Sequence, residues 1–397
     1  MDRSVVVVSA VRTAIGSFGG SLSGVPPAAL AACVAREAIA RSGLPAASIG
    51  HSVFGNVIHT EPRDAYLARV AAIEAGVPTS VPALTLNRLC GSGLEAVISA
   101  ARMIMLGEIE AALAGGAESM SRAPYALADA RWGRRMGEAV VTDMLLATLH
   151  DPFGHGHMGI TAENVAADCG ITREEQDRIA FASHRRAERA IAEGRFVDQI
   201  VPVATQRRGE AVVFREDEHV RRDADTESLA RLRPAFRDGG TVTAGNASGI
   251  NDGAAALVLM EASAAQRQGV TPLARLVSYG HSGVEPSRMG LGPVPAVRAV
   301  LSRAGLSIED MSVIESNEAF AAQACAVARM LGFPEERTNP NGGAIALGHP
   351  VGATGAIILV KLLYELKRVN GRYGLATMCI GGGQGIAVIV ERHGTSS

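Results

Sequence analysis

Two cysteines, a histidine and an asparagine carry most of the chemistry that this sequence can offer. Cys90 lies in Asn87-Arg88-Leu89-Cys90-Gly91-Ser92-Gly93-Leu94, between an apolar strand signal at 83–86 and an apolar-periodic helix at 94–106. A thiol at a strand-to-helix turn meets the positive end of the helix dipole, which favours the thiolate over a free thiol of pKa about 8.5. The neighbouring glycines let backbone N–H groups approach a reacting carbonyl. The bland alternative is a cysteine used as a small buried hydrophobe. His349 stands in a similar turn, Gly348-His349-Pro350-Val351-Gly352. A histidine held beside a cysteine takes its proton and later stabilises a developing oxyanion; otherwise it is a turn residue capping a helix.

Cys379 ends a strand on Ile380-Gly381-Gly382-Gly383. It is either a core cysteine or a second thiol serving as general acid and base. The glycine run lacks the G-x-G-x-x-G spacing of a dinucleotide site, and a strand rather than a helix follows it. Asn317-Glu318-Ala319-Phe320 places a polar pair directly after a buried strand. Asn317 either caps a helix or uses its amide to hold a water at a reacting oxygen.

Composition narrows the field. The 397 residues include only two lysines, Lys361 and Lys367, both in a segment that reads as a helix at 356–368. A Schiff-base lysine or a phosphate-loop lysine would have to be one of these. The formal net charge of −2 gives no general attraction to nucleic acid or anionic membranes. Five widely spaced cysteines without a C-x-x-C pair argue against a disulfide framework and a zinc site. The start, Met1-Asp2-Arg3 before Ser4-Val5-Val6-Val7-Val8, reads as a buried strand rather than a secretory signal. No stretch approaches the roughly 18 uncharged apolar residues of a membrane span. The expectation is a cytoplasmic enzyme with reduced thiols.

The elements that must position these residues come in two matching series. Strand 5–9, helix 30–41 with its exit at Gly43, strand 52–55, the turn at Cys90, strand 111–116 and strand 254–261 form the first. Strand 274–278, helix 296–303 with its exit at Gly305, strand 313–316, the turn at His349, strand 375–383 and strand 385–391 form the second. Alternating strand and helix signals mean α/β layering, and the repeated order means a duplication. Between the last two strands of the first series lies a charged segment, 121–243, poor in strand signals. It reads as a loop-and-helix insertion on the rim of the first half, where binding residues often sit.

With these blocks in view, the sequence resembles the thiolases (acetyl-CoA acetyltransferases) over its full length. The blocks at Cys90, Asn317, His349 and Cys379 match the family's four signature regions in order. His157-Met158-Gly159-Ile160-Thr161-Ala162-Glu163-Asn164 and Thr243-Ala244-Gly245-Asn246-Ala247-Ser248-Gly249 match as well, favouring the bacterial biosynthetic and broad-range β-ketothiolase branch. The resemblance implies an α/β fold of two duplicated halves in an α-β-α-β-α core. The halves would be 1–120 plus 244–272 and 273–397, with 121–243 as an inserted CoA-binding loop domain.

It further implies ping-pong acyl transfer. Cys90, activated by His349, would take the acyl group, and Cys379 would move the proton at the α-carbon of acetyl-CoA. His349 and a water on Asn317 would meet the enolate oxygen; backbone N–H groups of Cys90 and Gly381 would meet the acyl-enzyme oxyanion. Arg221, Ser228, Ala244 and Ser248 would contact CoA. His157 and Met158 would line the pantetheine and acyl region, and Met289, Ala319 and Phe320 the acyl pocket. Arg221 has the alternative of a solvated charge beside Arg222. Coenzyme A thioesters would be substrates, with no separate cofactor, and the assembly a homotetramer built from dimers. Where Arg88 stands many relatives carry glutamine; this arginine either lowers the Cys90 pKa or points away into a subunit contact. A decarboxylating ketoacyl synthase shares the architecture but uses histidines in place of the second cysteine. A non-catalytic acyl-CoA-binding relative is opposed by the intact Cys90, His349 and Cys379. An ester hydrolase is opposed by the lack of any G-x-S-x-G.

Overall fold

The β-branched run at Val5 begins strand β1 (Val5–Thr13), buried along its whole length, as a strand covered on both faces must be. This computed structural model describes residues 3–207 and 210–394. Met1 and Asp2, on which the reading of the N-terminal segment drew, lie outside them. With β1, strands β2 (His51–Gly55), β3 (Ala83–Leu86), β4 (Ala111–Ser119) and β5 (Asn251–Glu261) form a sheet in the order 1-5-4-2-3. Strands β6 (Ala274–Gly283), β7 (Met311–Ser316), β8 (Tyr373–Ile380) and β9 (Gln384–Arg392) follow in the order 6-9-8-7.

The duplication read from the sequence is visible in the pairing itself. In each half the first strand runs antiparallel to the last, the last antiparallel to the next, and that one parallel to its outer neighbour. Both first strands slip register at the same place, between Val7 and Ser9 and between Leu276 and Ser278. The counterpart of β3 is reduced to a single bridge, Ile314 to Thr338. Among the described residues the two sheets join where Val6 and Val7 of β1 pair with Arg275 and Ala274 of β6.

Helices α1 (Pro27–Ser42) and α5 (Pro293–Ala304) lie on the outer faces of the two sheets, and each ends at a left-handed glycine, Gly43 or Gly305. Helices α2 (Ser92–Leu106) and α7 (Val351–Arg368) pack against each other between the sheets and complete the five layers. They cross closely because both carry glycine at the contact. A Cβ on Gly93 would lie 2.7 Å from the Ala356 nitrogen, and one on Gly355 would collide with the backbone nitrogen of Leu94. By length and hydropathy Leu89–Leu106 meets the measure of a membrane-spanning helix, against the sequence expectation. Its place is the inner layer, mostly buried, and it carries Glu95 and Arg102.

The segment 121–243 contributes helices α3 (Met158–Cys169) and α4 (Arg173–Ala192), as expected of a helical insertion, and both pack on α6 (Ala321–Leu331). Its poverty in strand signals was misleading. Val203–Arg207 and Glu210–Phe214 form an antiparallel ladder, and Ile200–Val201 pairs in parallel with the end of β1. These strands are short and the ladder is half exposed, so their apolar residues give too little periodicity to read. A buried bidentate ion pair, Arg12 to Asp217 at 2.7 and 2.9 Å, fastens the segment to the core.

Candidate active site

Cys90 sits between β3 and the start of α2 on a turn whose conformation is over-determined. Asn87 Oδ1 accepts from the Leu89 N–H, the Arg88 N–H donates to Ser92 Oγ, and Ser92 Oγ donates to the Leu89 carbonyl. Leu89 itself is held at φ 46°, a left-handed conformation uncommon outside glycine. Backbone N–H groups of Gly381 and of Cys90 itself hydrogen-bond the sulfur. Burial nevertheless pushes the Cys90 thiol up, and the Glu118 carboxylate adds to the rise. The sequence expectation of a dipole-stabilised thiolate is corrected here: desolvation outweighs the donors, and the resting group is the thiol.

Glu118 lies on β4 behind this turn. Burial raises its carboxyl to about 8, yet four donors occupy both oxygens. They are the N–H groups of Val57, Ile58 and Gly352 and the amide of Asn56, at 2.9 to 3.1 Å. No lone pair is left for a proton, so the carboxylate is the form that fits.

His349 precedes α7 at the turn corresponding to that of Cys90. Asn251 Oδ1 accepts from its backbone N–H at 2.9 Å, and a Cβ on Gly348 would collide with the same amide. On the ring, Nδ1 lies 2.7 Å from Thr354 Oγ1, whose single proton goes to the Pro350 carbonyl. Nδ1 is therefore the donor, which leaves Nε2 bare. Burial lowers this imidazole to about 4, so it is neutral and Nε2 is a base. The Asn317 amide nitrogen lies 3.5 Å from Nε2. Cys379, at the end of β8, is buried, and desolvation together with the Cys90 sulfur raises its thiol far above the ordinary value.

These groups meet at one cavity of about 630 Å³. Cys90, His349, Cys379 and Gly381 line it together with His157, Met158, Arg221, Ala244, Ser248, Met289, Ala319 and Phe320. Asn317 stands behind His349 rather than on the wall. Ser228 is not on the wall either. Its hydroxyl and N–H close a capping box with Asp225 at the start of the short helix Thr226–Ala230. Met158, Met289, Ala319 and Phe320 are part of the apolar lining and share one buried cluster with Cys379. His157 caps α3 through Nδ1 and stacks on Phe236 at 4.8 Å. Arg221 is exposed at the mouth, while Arg222 turns to Glu216. Arg88 pairs with Glu95 on α2 at 3.2 Å.

Sequence reasoning missed Phe236, His219 and Asn251. Phe236 is a lone aromatic in a charged stretch, and Asn251 reads as an ordinary strand-start residue. His219 is lowered to about 4 by burial and by Arg221 beside it; nothing near it in sequence signals a cavity wall.

An enzyme that carries acyl groups on a thiol is the class that this duplicated fold and cysteine-centred cavity define. Residues 5–263 match the thiolase N-terminal domain and residues 270–392 the thiolase C-terminal domain. The chain belongs to the thiolase family. It is 62% identical to the beta-ketothiolase BktB of Cupriavidus necator, covering 99% of this chain and all of that one. It is 51% identical to an acetyl-CoA acetyltransferase of the same organism, over 98% of this chain and 99% of the other. Among solved structures, the acetyl-CoA acetyltransferase of Bacillus anthracis superimposes with a TM-score of 0.96 at 47% identity, covering 98% of this chain and 99% of that one. Human mitochondrial 3-ketoacyl-CoA thiolase in complex with CoA gives 0.95 at 42% identity, with 98% of each chain covered.

Proposed function

We propose that this protein is an acetyl-CoA C-acyltransferase of the β-ketothiolase kind, making and cleaving acetoacetyl-CoA and longer 3-ketoacyl-CoAs through an acyl group held on Cys90. The observation that carries the reading is the meeting of two thiols, a bare imidazole nitrogen and two backbone N–H groups on one apolar cavity.

In cleavage, Cys90 gives its proton to His349 Nε2 and its sulfur attacks the 3-keto carbon. The oxygen charge develops against the N–H groups of Cys90 and Gly381, where one such donor is worth about 3 kcal/mol of barrier. The C2–C3 bond breaks, and its electron pair passes to the acetyl-CoA enolate, whose oxygen faces His349 and a water on Asn317. The Cys379 thiol protonates C2 and acetyl-CoA leaves. Incoming CoA gives its proton to the Cys379 thiolate and attacks the acyl group. The departing Cys90 sulfur then recovers its proton from His349. A thiol raised as far as Cys379 is a strong base once ionised, as removal of a proton from carbon requires.

The exposed Arg221 meets the CoA phosphates at the mouth. His157, Met158, Ala244 and Ser248 follow the pantetheine, and Met289, Ala319 and Phe320 bound the acyl group. Ser228 would reach CoA only by leaving its capping box. The steps call on the chain, its thioester substrates and one water. A homotetramer is in keeping with the half-exposed edge strand β3 and with the exposed side chains Tyr125, Trp132, Met136 and Val140. The cytoplasm, where thiols stay reduced, suits a mechanism that runs on two of them.

A thiolysis assay over a series of chain lengths tests the function. CoA-dependent loss of acetoacetyl-CoA is expected. No cleavage of it or of any longer 3-ketoacyl-CoA would sink the reading.

A further inference from the structure

One of the chain's two lysines is buried where the reaction steps make no use of it. Lys361, on α7, is 3% exposed; its ammonium donates to Glu315 Oε2 at 2.8 Å and to the Gly342 carbonyl at 2.7 Å. Glu315 lies on β7, two residues before Asn317, and is as deeply buried. Beside the pair is a small chamber of about 10 Å³, lined among others by Glu315, Asn317, Thr354 and Lys361. That is about the room one water needs.

The polar accounting around this chamber is incomplete in a specific way. Glu315 Oε1 and Asn317 Oδ1 are both buried acceptors without a hydrogen-bond partner among the described residues. Lys361 has three N–H groups, of which the two contacts above use two. A buried ion pair is tolerable only when its remaining lone pairs and protons are also satisfied. One water closes all three accounts: it accepts from Lys361 and donates to Glu315 Oε1 and to Asn317 Oδ1. We propose that Lys361 and Glu315 are positioning residues for the carbon–carbon step, holding the Asn317 oxygen inward through this water so that its Nδ2 faces His349 and the reacting oxygen.

A carboxamide has almost the same shape when its oxygen and nitrogen are exchanged, so only its partners choose between the two. With the amide reversed, Oδ1 would oppose the bare Nε2 of His349, lone pair to lone pair. Asn317 would then offer no N–H to the water at the enolate, and His349 would meet that oxygen alone. The inference rests on the role given to Asn317 above and adds what keeps that side chain in the useful orientation.

The test separates the two half-reactions. Exchange of labelled CoA into acetyl-CoA needs only acylation and deacylation of Cys90, whereas cleavage of acetoacetyl-CoA also needs the enolate site. The double variant Lys361→Met, Glu315→Gln removes the charges together and strands neither. It is expected to lose at least tenfold in kcat for cleavage, with KM and the exchange rate within twofold. Glu315→Gln alone gives the same readout should the double variant not accumulate. Asn317→Ala should show the same split, and adding the double variant to it should cost nothing further. Equal loss in both half-reactions, or unchanged cleavage, would overturn the proposal and leave the pair a purely structural one. An Asn317→Ala enzyme without the split would overturn the role of Asn317 itself, and this proposal with it.

Discussion

Desolvation raises Cys90 and Cys379 and lowers His349. The three groups that exchange protons are therefore all neutral at rest, and each charge appears only when a substrate arrives to receive it. The two cysteines nevertheless differ in surroundings. Cys90 has two backbone donors, its own N–H and that of Gly381, while Cys379 has only its own N–H, with the Cys90 sulfur as neighbour and apolar side chains around it. Their substitutions should separate accordingly. Cys90→Ser is expected to abolish acyl-enzyme formation by mass spectrometry. Cys379→Ala should still become acylated from acyl-CoA, yet make and break carbon–carbon bonds at least a thousandfold more slowly. Full thiolysis by Cys379→Ala would falsify the division. At this scale the sequence was generous: glycines that follow Cys90 and Cys379 and flank His349 mark where backbone must come close to chemistry. It was silent on tautomers and proton affinities, which depend on how Thr354 and Pro350 fold against the ring and on the depth of burial.

Among the elements, α2 and α7 set the geometry, because Cys90 and His349 stand at their N-terminal ends. The crossing of these helices is fixed by Gly93 and Gly355, each facing the other helix's backbone. Gly93→Ala should destabilise the fold by about 1–3 kcal/mol, the usual cost of overpacking. It should also lower kcat more than it raises KM, since the two turns would be pushed apart. A fall in Tm with kcat unchanged would show that the crossing does not control the site. Every element of the two series was readable, because buried strands rich in valine, isoleucine and alanine contrast with amphipathic helices that exit at glycine. Two features were not. The second half's counterpart of β3 has shrunk to Thr338, where one bridge leaves no pattern. The ladder at Val203–Arg207 and Glu210–Phe214 lies on the surface, where alternation is blurred. The capping box at Ser228 was hidden for a related reason: a serine in a charged loop looks the same whether it faces a ligand or caps the next helix.

At the scale of the whole molecule, the neutral imidazoles carry a prediction about stability. Burial lowers His184, His219 and His349 each to about 4, against 6.5 for an open histidine. Between those values the unfolded chain binds protons that the folded one refuses, so stability falls as pH falls from about 6.5 toward 4. A tenfold change in proton affinity corresponds to about 1.4 kcal/mol, making the combined loss on the order of several kcal/mol. Thermal unfolding followed across this window should show a falling Tm, and a His184→Gln, His219→Gln variant should flatten it. A wild-type Tm independent of pH between about 6.5 and about 4.5 would contradict the assignment. The seam between the sheets, where two residues of β1 pair with two of β6, has a consequence in time rather than in space. Cys90 comes from one half, while His349, Cys379 and Gly381 come from the other, the last two where β8 turns into β9. Until that hairpin closes the second sheet, Cys90 lacks its base and the Gly381 half of its oxyanion site. A half-folded molecule is therefore inert toward CoA thioesters rather than a wasteful hydrolase, and activity begins only when folding is finished.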